Sequence, residues 1–159
     1  MSFDSKLAGV LEAIEQAGPV LALRNSTLVY PIVNAVHIIG VALLFGSIVA
    51  LDLRLVGFRR DVGPTDAFVG LLLPVAITGL AVAIPAGLLL FATDARAYAA
   101  SPLFQAKVVV ITIAIANALW LRTTDWQGPR GGRRAALAGT ASIALWLAAI
   151  VLGRLIGYF

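Results

Sequence analysis

The sequence predicts an all-α membrane protein with four transmembrane helices in an up-down bundle and a short N-terminal interfacial helix. Of its 159 residues, 60% are hydrophobic and only 13% are charged, and the mean hydropathy is +0.96. A water-soluble core could not absorb this much apolar surface. The apolar runs are also long enough to cross a hydrocarbon layer of about 30 Å, which takes about 20 helical residues.

The stretch from Met1 to Leu23 has the pattern of an amphipathic helix. Acidic residues stand where a secretory signal would be basic, so we expect this stretch to remain attached. Apolar residues follow i, i+3, i+4, i+7 spacing from Leu7 to Ile14, which gives a helix one apolar face, and Gly18-Pro19 ends the pattern. Such a segment either lies in the membrane interface or packs on the end of the bundle.

Four apolar runs of membrane-spanning length follow, and together they form a single transmembrane domain over residues 1–159. We predict the spans at about 26–51, 67–93, 102–121 and 135–158. Pro74 and Pro85 are expected to kink the second span. Lys107 and Arg154 are the only charged residues of the third and fourth spans. The short connections favour up-down order.

Positive charge is distributed unevenly between the two sides of the predicted bundle. The arginines after the first and third spans are Arg54, Arg59, Arg60, Arg122, Arg130, Arg133 and Arg134. Because cytoplasmic loops are enriched in Lys and Arg, we expect both termini outside, in the periplasm of a bacterium whose inner membrane holds the protein. The net charge of +4 is then a topology signal, and we expect no nucleic-acid partner.

The composition limits the chemistry that one chain can perform. There is no cysteine, and there is a single histidine and a single methionine. Disulfides, thiolate metal sites and sites with several imidazoles within one chain are therefore excluded.

The single histidine, His37, lies within the first span. On a helix it shares a narrow stripe with Tyr30 and Asn34, so phenol, amide and imidazole are expected to point into one groove. Ionisable groups in hydrocarbon are costly, so each needs a partner, a water path or a ligand. We therefore interpret this stripe as the first candidate site.

Three cations are expected between His37 and the outer surface. The imidazole lies about 16 Å below the outer boundary at about 1.5 Å per residue. Lys107 and Arg154 enter from the same side, and Arg24 stands just above the first span. This layout fits haem b, whose iron takes a neutral imidazole and whose propionates need cations. Gly40 would let the flat macrocycle approach the backbone.

The haem hypothesis predicts His37 as the metal ligand and a surrounding site made of Tyr30, Asn34, Lys107, Arg154 and Arg24. Two alternatives stay open. A cofactor-free membrane subunit or scaffold would have His37 hydrogen-bonded to a neighbouring helix and the cations reaching the headgroups. A quinone or lipid could also occupy the groove. Gly153 and Gly157 form a GxxxG motif that permits a homodimer, and Asp52 ought to pair with Arg59, Arg60 or Arg122.

One stretch of the first span resembles a family of four-helix bacterial inner-membrane proteins for which no activity is established. The residues that carry this resemblance are Tyr30-Pro31, Asn34, His37, Gly40, Gly46 and Asp52-Leu53-Arg54-Leu55-Val56-Gly57.

More distantly, His37 followed by Lys107 in the run Phe104-Gln105-Ala106-Lys107-Val108 is similar to two better-known groups. These are the haem-containing membrane protoporphyrinogen oxidases and the membrane domain of the copper-resistance transporters. In the oxidases the early histidine is a haem ligand and the later lysine is functionally important, so the resemblance implies those roles for His37 and Lys107. Copper transport needs soft ligands, which this composition does not offer.

Overall fold

The computed structural model describes residues 3–58, 63–123 and 131–158, and these residues form helices joined by short turns. The helices are α1 (Phe3–Glu15), α2 (Gly18–Asn25), α3 (Val29–Val56), α4 (Thr65–Ala92), α5 (Ala95–Ala100), α6 (Pro102–Thr123) and α7 (Gly131–Leu155). Among these residues, four helices are long and apolar enough to cross a membrane: α3, α4, α6 and α7. The predicted all-α fold with four spans is confirmed.

The four long helices pack in the spatial order α4, α3, α7, α6. They meet at a central layer, here called the core layer, formed by Leu44, Ala76, Ala114 and Trp146. Trp146 is the largest of these side chains, and the core-layer residues of α4 and α6 are both alanines. One bulky indole thus fills the centre of the bundle while the backbones of α4 and α6 stay apart.

Two glycines allow α3 and α4 to pack backbone to backbone. A Cβ on Gly40 would lie 2.7 Å from the Ala83 nitrogen, and a Cβ on Gly79 would lie 2.5 Å from the Leu44 nitrogen. Real side chains do not fit such gaps, so the close approach requires glycine on both helices. The space beside Gly40 that the haem hypothesis gave to a macrocycle is therefore occupied by α4.

The bundle has two distinct ends. At the loop end, α3 finishes at Gly57, whose φ of 114° is left-handed, and Phe58 N–H bonds the Leu53 carbonyl at 2.9 Å. This is the usual glycine cap of a helix C-terminus. At the opposite end, here called the terminal end, lie α1, α2 and α5, the start of α6 and the end of α7.

The N-terminal helix α1 packs on α5 at the terminal end. Glu15 is only 3% exposed, and its carboxylate accepts the Arg96 backbone N–H at 2.7 Å and the Arg96 Nε–H at 3.0 Å. Leu7 and Val10 remain exposed, as the apolar face of a helix lying in the interface would be. The sequence left open whether this segment lies in the membrane interface or packs on the end of the bundle, and α1 can do both at once.

Candidate ligand site around His37

One polar layer lies about two helical turns from the core layer, towards the terminal end. Each of its members stands seven residues along the chain from a core-layer residue on the same helix. This layer, here called the His37 layer, consists of His37 on α3, Ala83 on α4, Lys107 on α6 and Gly153 on α7. Because seven residues return a helix to nearly the same face, these four positions point to the bundle interior.

His37 is half-buried and held by a carbonyl of the neighbouring helix. Its Nδ1 lies 2.8 Å from the Ala83 carbonyl oxygen. Because a carbonyl oxygen can only accept, Nδ1 carries the proton and donates, and Nε2 keeps its lone pair. The ring also lies against Gly87, where a Cβ would be 2.9 Å from Cε1. Metal-ligating histidines are held by this kind of second hydrogen bond, and Nε2 is then the ligand atom.

Lys107 of α6 packs against Gly153 of α7. A Cβ on Gly153 would be 3.1 Å from the Lys107 Nζ and 3.3 Å from its Cε, so the side chain needs the glycine. The ammonium is near enough to act electrostatically on His37. In the described part of the chain, no carboxylate lies within ion-pair distance of Nζ. The His37 layer thus holds an imidazole lone pair and an ammonium group that has no counter-ion among the described residues.

The other two predicted cations lie elsewhere. Arg154 is exposed, and its Nη2 donates to the Tyr158 hydroxyl at 2.7 Å while the guanidinium carbon lies 4.9 Å from the centroid of that ring. Arg24 is exposed on α2 and acts on the carboxylate of Glu15. Residues next to each other on a helix point about 100° apart, so Arg154 cannot share the interior direction of Gly153. Of the three cations, the structure brings only Lys107 to His37.

The predicted stripe on α3 divides between the interior and the surface. Tyr30 is half-buried two turns from His37 and is hydrogen-bonded to the Tyr98 phenol on α5, whereas Asn34 is exposed. Tyr98 also contacts Phe91 and Phe104, with ring centroids 6.2 Å and 5.6 Å away. Tyr30 is seven residues from His37, which is close to two full helical turns, so both side chains point in nearly the same direction. Asn34 is three residues from His37, which is less than one full turn, so its side chain points further away.

This aromatic cluster separates the His37 layer from the terminal end. Phe91 on α4 and Phe104 on α6 stack with centroids 5.2 Å apart, so they bridge the two helices whose backbones stay apart. Burial, followed by the neighbouring Tyr30 and Asp94, raises the pKa of Tyr98. Tyr98 is therefore a neutral donor at physiological pH, and the cluster closes the groove with rings and phenol groups.

Several partners in this site escaped the sequence reasoning. The Ala83 carbonyl, Gly87, Gly153 and Tyr98 have no distinctive side-chain signal of their own. One signal was present, and only for Gly153: it stands seven residues from Trp146, the only tryptophan within the fourth span, so a heptad count places both residues on one face of α7. Gly153, which suggested dimerisation as part of GxxxG, accommodates Lys107 within the chain.

At the loop end, the described partner of Asp52 is a serine and not one of the arginines that we expected. Asp52 is buried, and the hydroxyl of Ser142 on α7 is its hydrogen-bond partner. Arg59 and Arg60, and the side chain of Arg122, lie outside the described residues. A pairing of Asp52 with any of them stays a prediction.

Comparison with protein-family models, with curated proteins and with solved structures finds no match for this chain. The chemistry of the site is therefore the basis for a function. Within residues 3–58, 63–123 and 131–158, no three His, Asp or Glu residues gather into a metal-binding group. A metal in the His37 layer would thus need most of its ligands from a prosthetic group, as haem iron has.

Proposed function

We propose that this chain is an integral membrane b-type haem-binding protein with a redox or haem-handling role. In this proposal, Nε2 of His37 binds the iron, and Lys107 pairs with a propionate. The observation that carries it is the pairing of an anchored imidazole, whose Nε2 lone pair is available, with a cation that has no described counter-ion. Haem supplies both an iron for the imidazole and an anion for the ammonium.

The residues around the histidine have defined tasks in this proposal. The Ala83 carbonyl fixes the ring orientation and makes Nε2 a better electron donor by accepting the Nδ1 proton's hydrogen bond. Lys107 attracts one propionate of the haem, on the side of the aromatic cluster that faces the His37 layer. Haem, when bound, supplies an iron that exchanges one electron.

The single histidine also limits the coordination of the iron. Six-coordinate iron with two imidazoles would need His37 from two chains, and therefore a homodimer. A monomer would have five-coordinate or water-ligated iron.

A cofactor-free membrane subunit is the second candidate, and two hydrogen bonds favour it. The hydrogen bond between His37 and Ala83 joins α3 to α4 by itself, and Arg154 reaches Tyr158 at the terminal end as a snorkelling arginine does. In that case the polar residues only hold the helices together. The charge of Lys107, which has no described counter-ion, favours the ligand-binding proposal instead, because a half-buried ammonium without an anion is costly.

An absorption spectrum of the purified protein tests the proposal. Protein made with ample haem supply should show a Soret band and reduced-state bands after dithionite addition. His37→Ala should abolish the Soret band, whereas Asn34→Ala, an exposed position one turn away on the same helix, should retain it. Wild-type protein without any Soret absorbance would refute haem binding, and extraction of a bound quinone or lipid would then be the next measurement.

We also propose a bacterial inner-membrane location with both termini in the periplasm. The arginine bias of the two connections at the loop end supports this orientation. The His37 layer would then lie closer to the periplasmic face, and Asp52 would lie closer to the cytoplasm.

A further inference from the structure

Asp52 is a buried carboxyl group to which the haem proposal gives no role. It is 5% exposed, on the side of α3 that contacts α7. The helices are close at this point, because a Cβ on Gly139 would lie 3.0 Å from the Asp52 carbonyl oxygen. Ser142, one turn further along α7, is the side-chain hydrogen-bond partner of the carboxyl group. The other carboxyl oxygen, Oδ2, is buried and has no hydrogen-bond partner among the described residues.

The charged side chains that the structure describes around Asp52 are directed elsewhere. Arg54 is directed to α4, where its guanidinium carbon lies 4.3 Å from the centroid of the Phe68 ring and Nη2 donates to the Gly63 carbonyl. Asp66 on α4, together with Arg133 and Arg134 on α7, is exposed. None of these residues forms an ion pair with Asp52 in the described part of the chain.

We propose that Asp52 is a proton-binding site, loaded from the loop end and holding the proton as a neutral carboxylic acid between α3 and α7. A bare carboxylate with an unpartnered oxygen is unstable in a low-dielectric interior, and one proton removes its charge. The proton comes from solvent, adds to the carboxylate and leaves by the same route. Among the described residues no group of three His, Asp or Glu side chains gathers there, so a metal ion is a poor occupant.

The position of Asp52 allows exchange with solvent at the loop end. It stands five residues before the helix cap at Gly57, which corresponds to a depth of about 7 Å at about 1.5 Å per residue. Burial between two helices and closeness to one surface are what a reversible proton store requires. This site is independent of haem, because His37 lies about four turns away on the same helix.

Infrared difference spectroscopy of the purified protein in lipid nanodiscs tests the proposal. Between about pH 6 and about pH 9, exposed carboxyl groups are already ionised, so they do not contribute a carboxylic-acid carbonyl band. The wild-type protein should show such a band. The band should weaken as the pH rises, and exchange into heavy water should shift its frequency. Asp52→Asn, which keeps the shape and neutrality of the acid, should lose the band completely.

Two further variants make the assignment specific. Asp66→Asn, the exposed control on α4, should leave the band unchanged. Ser142→Ala should keep the band but shift its frequency, because the hydrogen bond to the carboxyl group is lost. A wild-type spectrum identical to that of Asp52→Asn would overturn the proposal. That outcome would mean that Asp52 is ionised, with an arginine from the segments 59–62 or 122–130 as its partner.

Discussion

Replacing Gly79 with alanine tests the packing that positions His37 against α4. The added Cβ would lie 2.5 Å from the Leu44 nitrogen and 2.7 Å from the Gly40 carbonyl oxygen. Both are backbone atoms, so neither can rotate away, and α3 and α4 must separate. Overpacking of this kind costs about 1–3 kcal/mol, whereas the gain in helix propensity returns at most about 1 kcal/mol. We expect a net destabilisation of about 1–2 kcal/mol for Gly79→Ala.

The assay is reversible unfolding in mixed detergent and SDS micelles, followed by helical circular dichroism and tryptophan fluorescence. Gly46→Ala on α3 and Gly70→Ala on α4 are matched controls, because nothing lies within 4 Å of a Cβ at either position. The controls should be neutral or stabilised by up to about 1 kcal/mol. If Gly79→Ala unfolded at the same SDS fraction as these controls, the close packing of α3 and α4 would be refuted.

Three further predictions concern the terminal end, the ligand site and topology. Arg96 holds the pKa of Glu15 below its usual range, so the stabilisation by this carboxylate is complete above about pH 4.3 and is lost as pH falls through the lower folded-state pKa. Glu15→Gln should remove this acid-dependent part of thermal stability, and an unchanged pH profile would contradict it. Lys107→Gln should speed haem loss to a soluble scavenger apoprotein, whereas Arg154→Gln should not; equal rates would count against the assigned propionate contact. Reporter fusions after residues 60 and 130 should behave as cytoplasmic and a C-terminal fusion as periplasmic, and the reverse pattern would invert the proposed orientation.

The four spans could be predicted because hydrocarbon imposes a length and composition on every helix that crosses it. The second span includes Pro74 and Pro85, yet α4 runs through both without interruption. The short helix α5 was missed, since its six residues lie in a connection with no apolar run of spanning length. Hydropathy therefore predicted the membrane-spanning helices but gave no signal for the short helix at the terminal end.

The candidate site was only partly predictable, because position along a helix gives depth but not the neighbour that a side chain meets. His37 and Lys107 were found since each is a polar residue in an apolar run. Arg154 has nearly the right depth, but it points to Tyr158 instead of the interior. The same limit applied to Gly153, whose space is taken by Lys107 from another helix. Such pairings depend on how α6 packs against α7, and no local pattern encodes it.

The most direct test of the central claim is a rescue of haem ligation in a variant that lacks the imidazole. His37→Gly should insert as a membrane protein but purify without a Soret band, and added imidazole together with haem should restore a band resembling that of the wild type. The restored band should depend on imidazole concentration, and Asn34→Gly should keep its haem without imidazole. A Soret band that survives in His37→Gly without imidazole, with a spectrum unchanged from the wild type, would contradict His37 as the iron ligand.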